Sequence, residues 1–310
     1  VTLVLLAAAL PWLYWDQGGE SAERLKSAGI ARVAVPRANE AAWKALSGFE
    51  VRTADPSAAE KLAVPGVQYR ANQASATRSP WIDTNGWQFA RRPKGTFYYD
   101  APGMAAGVAA AEAFLYRADA LVHTDTAGLG PLGQMLGFLR GLRVEELPAV
   151  ADIGFIDDGS AEAGEAMNLM GRKNLLYRVV ERPDPKLKVN IRFGSGKYTK
   201  AEAQDPVEVA QRIRYELTDE RRSLRIFGSE VALARLFSDG RRARVEVVNY
   251  AAASRALNGI RVRVLGRYAK HSVEAAGSAG VALADYTVTR DATEFTLPEL
   301  KSFAAVALEP

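Results

Sequence analysis

The chain has 310 residues, 48% of them apolar and 25% charged, and its 40 basic against 36 acidic residues leave a net charge of +4. That length suits about two domains; the small basic excess lies mostly in the second half, since residues 1–150 carry 15 Lys/Arg against 14 Asp/Glu, and it gives no electrostatic footprint for nucleic acid. With no cysteine at all, a disulfide framework, a thiol nucleophile and thiolate metal sites are excluded.

Residues 1–13 (VTLVLLAAALPWL) are uncharged and apolar except for Thr2 and Pro11. They are too short to span a bilayer but match the core of a signal peptide, and Ala7-Ala8-Ala9 offers a small-x-small cleavage site. Residues 1–11 are therefore expected to be a leader remnant of a secreted or periplasmic protein, with a buried first strand as the competing reading. A strand at 13–15 then leads into a polar helix over 20–28, with Gly29 as its C-cap signal. Residues 31–36 read as the next strand, Asn39 as the cap of a helix carrying Trp43 and Leu46, and residues 49–52 as a further strand. Residues 67–70 form a weaker strand candidate. The clearest unit runs 96–100, 103–117 and 120–125: a strand, an Ala-rich helix and a strand, which is a βαβ crossover with parallel strands. An amphipathic helix at 129–142 follows.

A second unit spans 148–227, with strands at 150–157, 175–180 and 189–193, a helix at 161–173 and another opening on Asp205-Pro206. From 228 the period changes. Short strands at 231–236, 243–250, 260–264, 282–288, 294–297 and 303–308, with a hairpin signal at Asp239-Gly240, predict an antiparallel β-sandwich over 228–310.

Five apolar or aromatic runs end on an aspartate: Leu13-Tyr14-Trp15-Asp16, Pro80-Trp81-Ile82-Asp83, Phe97-Tyr98-Tyr99-Asp100, Val122-His123-Thr124-Asp125 and Ile153-Gly154-Phe155-Ile156-Asp157. Strands buried on both faces read as such runs, and parallel α/β sheets bind ligands beyond the carboxyl ends of their strands. A single aspartate there more often starts a turn or caps a helix, but three of the five crowd into residues 83–125. Asp83, Asp100 and Asp125 are thus the candidate catalytic set. Glycoside hydrolysis needs two carboxyls, about 5–5.5 Å apart for retention or about 6.5–9.5 Å for inversion.

All five tryptophans precede residue 88, and the segment Trp81-Ile82-Asp83-Thr84-Asn85-Gly86-Trp87 mixes aromatic faces with carboxylate and amide groups. Trp81, Trp87 and Tyr99 are candidate platforms for a sugar ring, Asn85 a partner for its hydroxyls, and Asp16 and His123 further substrate contacts; Trp43 is read as core. His123 would share a strand face with Asp125. With only His123 and His271 and no ligand spacing, no metal site is expected. No cofactor is expected either: there is no phosphate loop, dinucleotide fingerprint or nucleophile elbow, and Gly194-Ser195-Gly196-Lys197 lacks the phosphate-loop spacing. Residues 225–271 hold ten Lys/Arg against three Asp/Glu, read as a solvated sheet face.

Strand-end aspartates, clustered aromatics, an apolar leader and a terminal sandwich together resemble secreted bacterial glycoside-hydrolase-like proteins, which join a TIM-type barrel to an amidotransferase-like α/β domain and an Ig-like sandwich. The resemblance implies α/β followed by all-β: a parallel β/α barrel over 12–147, a small α/β domain over 148–227 and the sandwich over 228–310. A complete barrel takes about 200–250 residues, whereas only about seven strands can be placed in roughly 135 residues here, so the barrel is expected to be shortened or incomplete. Without cysteine, amidotransferase chemistry is excluded from the middle domain. By the same resemblance Asp83, Asp100 and Asp125 are the strand-end acids, and the partner is a saccharide or glycoside. Three functions stay open: hydrolysis by an Asp pair, non-catalytic saccharide binding or assembly on the same scaffold, or an oligomerisation module built around the sandwich without sugar affinity. No nucleic acid and no membrane span are expected, and the sandwich is the surface for any self-association.

Overall fold

The computed structural model describes residues 10–69, 80–143, 146–278 and 280–310; most of the apolar segment expected to be a leader, with Ala7-Ala8-Ala9, lies outside them. In chain order the first unit comprises β1 (Trp12–Tyr14), α1 (Ala22–Ser27), β2 (Arg32–Val35), α2 (Glu40–Lys44), β3 (Glu50–Thr53), β4 (Glu60–Leu62), β5 (Gly66–Tyr69) and β6 (Pro80–Asp83). It continues with α3 (Gly86–Arg91), β7 (Thr96–Asp100), α4 (Ala105–Tyr116), β8 (Asp119–His123) and α5 (Leu129–Gly141). Six strands form one sheet in the order β3-β2-β1-β8-β7-β4, every pairing parallel. β3 and β4 are its edges, so the sheet is an open part of a barrel rather than a closed one.

Three local readings change. β4 is mostly polar (Glu60-Lys61-Leu62), which hides it from an apolar-run search. β5 and β6 pair antiparallel as a separate two-stranded sheet, so Asp83 ends a hairpin strand and not a strand of the parallel sheet. Asn39 makes no side-chain bond to α2; its amide donates to the Asp16 carbonyl at 2.8 Å and ties the loop after β1 to the loop after β2. The βαβ unit forms as its sequence dictates. Alanines over half of α4 let it lie close between the sheet and the terminal sandwich, buried from Ala106 to Leu115. α5 approaches even closer: a Cβ at Gly133 would stand 1.7 Å from the Ala28 carbonyl oxygen, so only glycine fits there.

The second unit contains β9 (Ile153–Phe155), α6 (Ala161–Arg172), β10 (Tyr177–Val179), β11 (Val189–Ile191) and α7 (Pro206–Arg221). Its three strands are parallel in the order β10-β9-β11. Phe155, Met167, Met170 and Ile213 belong to its own core. Ser160 caps α6 by accepting from Ala163 N–H, and Asp205 caps α7 by accepting from Glu208 N–H, with Pro206 at the first position.

The last unit is a pair of antiparallel sheets. β12 (Leu224–Phe227), β15 (Leu257–Leu265), β18 (Ala292–Leu300) and β17 (Ala284–Val288) form one, in that spatial order. β13 (Ala232–Ser238), β14 (Ala243–Asn249), β19 (Phe303–Glu309) and β16 (Lys270–Ala275) form the other. Asp239-Gly240 turns β13 into β14, with Gly240 at a φ of 87°. The sandwich core, including Val247, Phe295 and Phe303, is continuous with the core that packs on the parallel sheet. The solvated-face reading of residues 225–271 fails at Arg244, which is 5% exposed and paired with the fully buried Glu246. Glu246 also receives both terminal nitrogens of Arg117, from the left-handed C-cap of α4, at 2.9 and 2.7 Å.

Candidate functional site on the open face of the parallel sheet

Side chains alternate across a strand, so each strand of the sheet feeds two faces. Leu13, Trp15, Val33, Val35, Phe97, Tyr99, Ala120 and Val122 belong to the large core under the helices. Tyr14, Ala34 and Leu121 form a second, smaller cluster, with Trp12, Ala54 and Tyr98 packed against it. That second face carries the polar chemistry. Register pairs Tyr99 with Val122 and Asp100 with His123 between β7 and β8, and Leu13 with Val122 between β1 and β8. Tyr14, His123 and Asp100 therefore stand in one row across three adjacent strands.

Along that row His123 Nδ1 and Asp100 Oδ1 are 2.8 Å apart. His123 lies over Tyr98 with ring centroids 6.3 Å apart and an interplanar angle of 16°, while Tyr14 meets Tyr98 edge-on at 5.9 Å and His123 at 6.3 Å. Burial, then the charges of Asp16 and Asp55, raises the Tyr14 phenol above the ordinary tyrosine value. The Tyr98 phenol is pushed up to about 12, by burial first, then by Asp100, Tyr14 and Asp16. The Asp100 side chain remains 73% exposed and that of His123 30%. With Nδ1 directed at Asp100, Nε2 is the ring nitrogen left to other partners. Deeper on the same face, Trp12 lies against two guanidinium groups, Arg32 at 4.0 Å and Arg52 at 4.7 Å, whose charges are met by Glu50 and Asp119.

Of the residues singled out in the sequence, the structure gathers Asp16, Asp100 and His123 here. The others lie elsewhere. Asp125 does not share its carboxylate with His123: Oδ1 accepts from Gly103 N–H at 3.0 Å and Gly128 N–H at 2.8 Å, and these bonds hold its pKa below the usual carboxylate range. Asp83 stands opposite Gly66 on the hairpin. Trp81 and Trp87 pack against the core of the second unit; Trp81 faces Arg172 at 3.4 Å, and Trp87 crowds Gly164 of α6.

Tyr99 and Asn85 join a buried network centred on Glu112 of α4, which is 0% exposed. Glu112 accepts from Thr84 Oγ1 at 2.7 Å, Asn85 N–H at 2.8 Å, Asn85 Nδ2 at 2.9 Å, Tyr99 Oη at 2.6 Å and Tyr250 Oη at 2.7 Å. Burial first, and then the Glu112 charge, pushes both tyrosines well above their ordinary pKa, so they stay protonated donors. Tyr14, Tyr98, Asp55 and Glu112 were not named as site or network residues from sequence. For Tyr98 the signal was present: period two along Tyr98-Tyr99-Asp100 places Tyr98, not Tyr99, on the face of Asp100.

Among the described residues, no cluster of three or more His, Asp or Glu side chains is placed to hold a metal ion, and no helix is long and apolar enough to cross a membrane.

The chain thus joins a parallel sheet with open edges, a small α/β unit and a terminal pair of antiparallel sheets. No family model and no curated protein matches the chain. Among solved structures it is similar to α-L-fucosidase isoenzyme 2 from Paenibacillus thiaminolyticus, with a TM-score of 0.53 and 10% identity over 87% of this chain and 70% of that one. It also matches a GH42 β-galactosidase from G. stearothermophilus, with a TM-score of 0.41 and 7% identity over 85% of this chain and 64% of that one. At 10% identity the likeness to the fucosidase is one of fold alone.

Proposed function

We propose that the chain is a carbohydrate-active protein whose saccharide site is the open sheet face around Tyr14, Asp16, Tyr98, Asp100 and His123, and that Asp16 and Asp100 are the carboxyl pair of a glycoside hydrolase. The observation that supports this reading is the row of Tyr14, His123 and Asp100 across three adjacent strands, in which Asp100 meets His123 at 2.8 Å beside the Tyr98 ring, with Asp16 two residues beyond Tyr14. One carboxyl would protonate the leaving oxygen and the other act as nucleophile or base. The tyrosine rings and imidazole supply apolar surface for a sugar, and His123 Nε2 a partner for a hydroxyl.

A second reading, saccharide binding without turnover, is favoured by the capture of Asp125 by two backbone N–H groups, which removes one of the strand-end acids from chemistry. Turnover of a panel of aryl glycosides, beginning with α-L-fucosides because an α-L-fucosidase shares the architecture, should be measured beside calorimetric binding of the free sugars. Hydrolysis abolished by Asp16→Asn and by Asp100→Asn is the expected result. Binding without hydrolysis moves the assignment to the second reading, and neither binding nor hydrolysis overturns both.

A further inference from the structure

Where the end of α4, the start of β10 and the middle of β13 meet, the fold leaves a small cavity of about 20 Å³, lined by Tyr116, Asn174, Tyr177 and Arg235 among other residues. A space of that size holds one guest of water or halide dimensions. Its charge is one-sided. The Arg235 guanidinium lies 4.8 Å from the centroid of the Tyr116 ring, Tyr116, Tyr177 and a like charge, Arg117, bear on it, and among the described residues it forms no ion pair. The carboxylate nearest in register, Glu246, is taken up by Arg117 and Arg244. Asp157, which acts on Tyr177, is engaged by Arg91 through two bonds of 2.6 and 2.8 Å. The Asn174 side chain is satisfied as well, donating to the Ala232 carbonyl and accepting from Ala234 N–H. Tyr177 is 8% exposed, and among the described residues its hydroxyl makes no hydrogen bond.

The cavity therefore presents a guanidinium with no carboxylate of its own and a phenol O–H in need of an acceptor. Arg235 is half-buried, and a partly desolvated cation without a carboxylate favours a guest of opposite charge. We propose that this cavity binds a single small monovalent anion, of halide size, between Arg235 and the Tyr177 hydroxyl, at the junction of the three structural units. The site is independent of the saccharide face.

Crystals of the whole chain grown or soaked in bromide provide the direct test, through the anomalous signal of the halide. In parallel, thermal unfolding is followed in chloride against gluconate at constant ionic strength. The expected result is a bromide peak in the cavity and a saturable rise in Tm of roughly 3 °C at a tenfold excess over the dissociation constant. Arg235→Gln should abolish the chloride dependence. Tyr177→Phe, which keeps the ring and its packing, should weaken it several-fold, and it carries the test alone if Arg235→Gln does not fold. A cavity holding water only, or an equal chloride response in the wild type and Tyr177→Phe, overturns the proposal.

Discussion

Strand β7 shows two ways of placing a carboxylate, one residue apart. Tyr99 points under the helices and donates to Glu112, a carboxylate with no exposed surface and five hydrogen bonds. Tyr98 and Asp100 point to the other face, where Asp100 keeps most of its surface and, among the described residues, one hydrogen-bond partner, His123. A carboxylate whose acceptor capacity is filled by protein donors has nothing left for a ligand; it holds elements together. One with free lone pairs beside aromatic rings can do chemistry. The same strand thus carries the clamp between sheet and sandwich on one side and the candidate site on the other.

The largest effect is expected on the clamped side. Glu112→Ala strands donors from the loop after β6, from β7 and from the sandwich in a dry interior, and should cost roughly 3–5 kcal/mol in urea unfolding. Glu112→Gln, which retains an acceptor and the volume, should cost less. A loss under about 1 kcal/mol for Glu112→Ala would mean that the network fills space without binding the units together.

The open side should show the opposite pattern. Asp100→Ala and His123→Ala should each lower saccharide affinity at least about tenfold, near 1.4 kcal/mol, while changing unfolding free energy by no more than about 0.5 kcal/mol. Calorimetry and urea titration on the same protein read both quantities. Variants that lose stability without losing affinity would erase the distinction between the two faces.

How much of this was legible in the sequence follows from which forces act locally. The crossover from Thr96 to His123 was readable because its apolar runs, Ala-rich helix and strand spacing all agree. The sandwich was readable from its changed period, although β12 and β16 were not. The aspartate pattern located Asp16 and Asp100 at the strand ends of the open face but could not separate them from Asp125, since a cap and a candidate acid look alike until the N–H groups of Gly103 and Gly128 are in place. Trp81 and Trp87 look like a sugar platform in sequence because the surface they cover, α6 and its neighbours, lies about 80 residues further along the chain. Glu112 is mid-helix in an apolar stretch, and only the fold brings Tyr99 and Tyr250 to it.

The cap reading of Asp125 has its own test in acid. Its folded pKa lies below the usual carboxylate value, so its contribution is present at neutral pH and is lost as pH falls through the lowered folded value. Asp125→Asn removes that titration: Tm at neutral pH should fall slightly, and the acid limb of the Tm–pH curve should become shallower. An unchanged acid limb would mean that the two N–H bonds do not persist in solution.

The smallest effect, and the one closest to the proposed chemistry, is on the Tyr98 phenol. Its folded value near 12 exceeds the ordinary tyrosine value of about 10, so the stability linked to its neutral form is fully present below the ordinary value and lost as pH rises through 12. Ring-labelled tyrosine followed by NMR through alkaline pH isolates this residue from the chain's ten other tyrosines. Burial contributes most and survives substitution, so neither variant should restore an ordinary value. Asp100→Asn should lower the midpoint more than Asp16→Asn, in the order of their contributions, and both should lower it. If only Asp100→Asn moves the midpoint, Asp16 does not reach the site, and hydrolysis by that pair loses its geometric basis while saccharide binding on the aromatic face keeps its own.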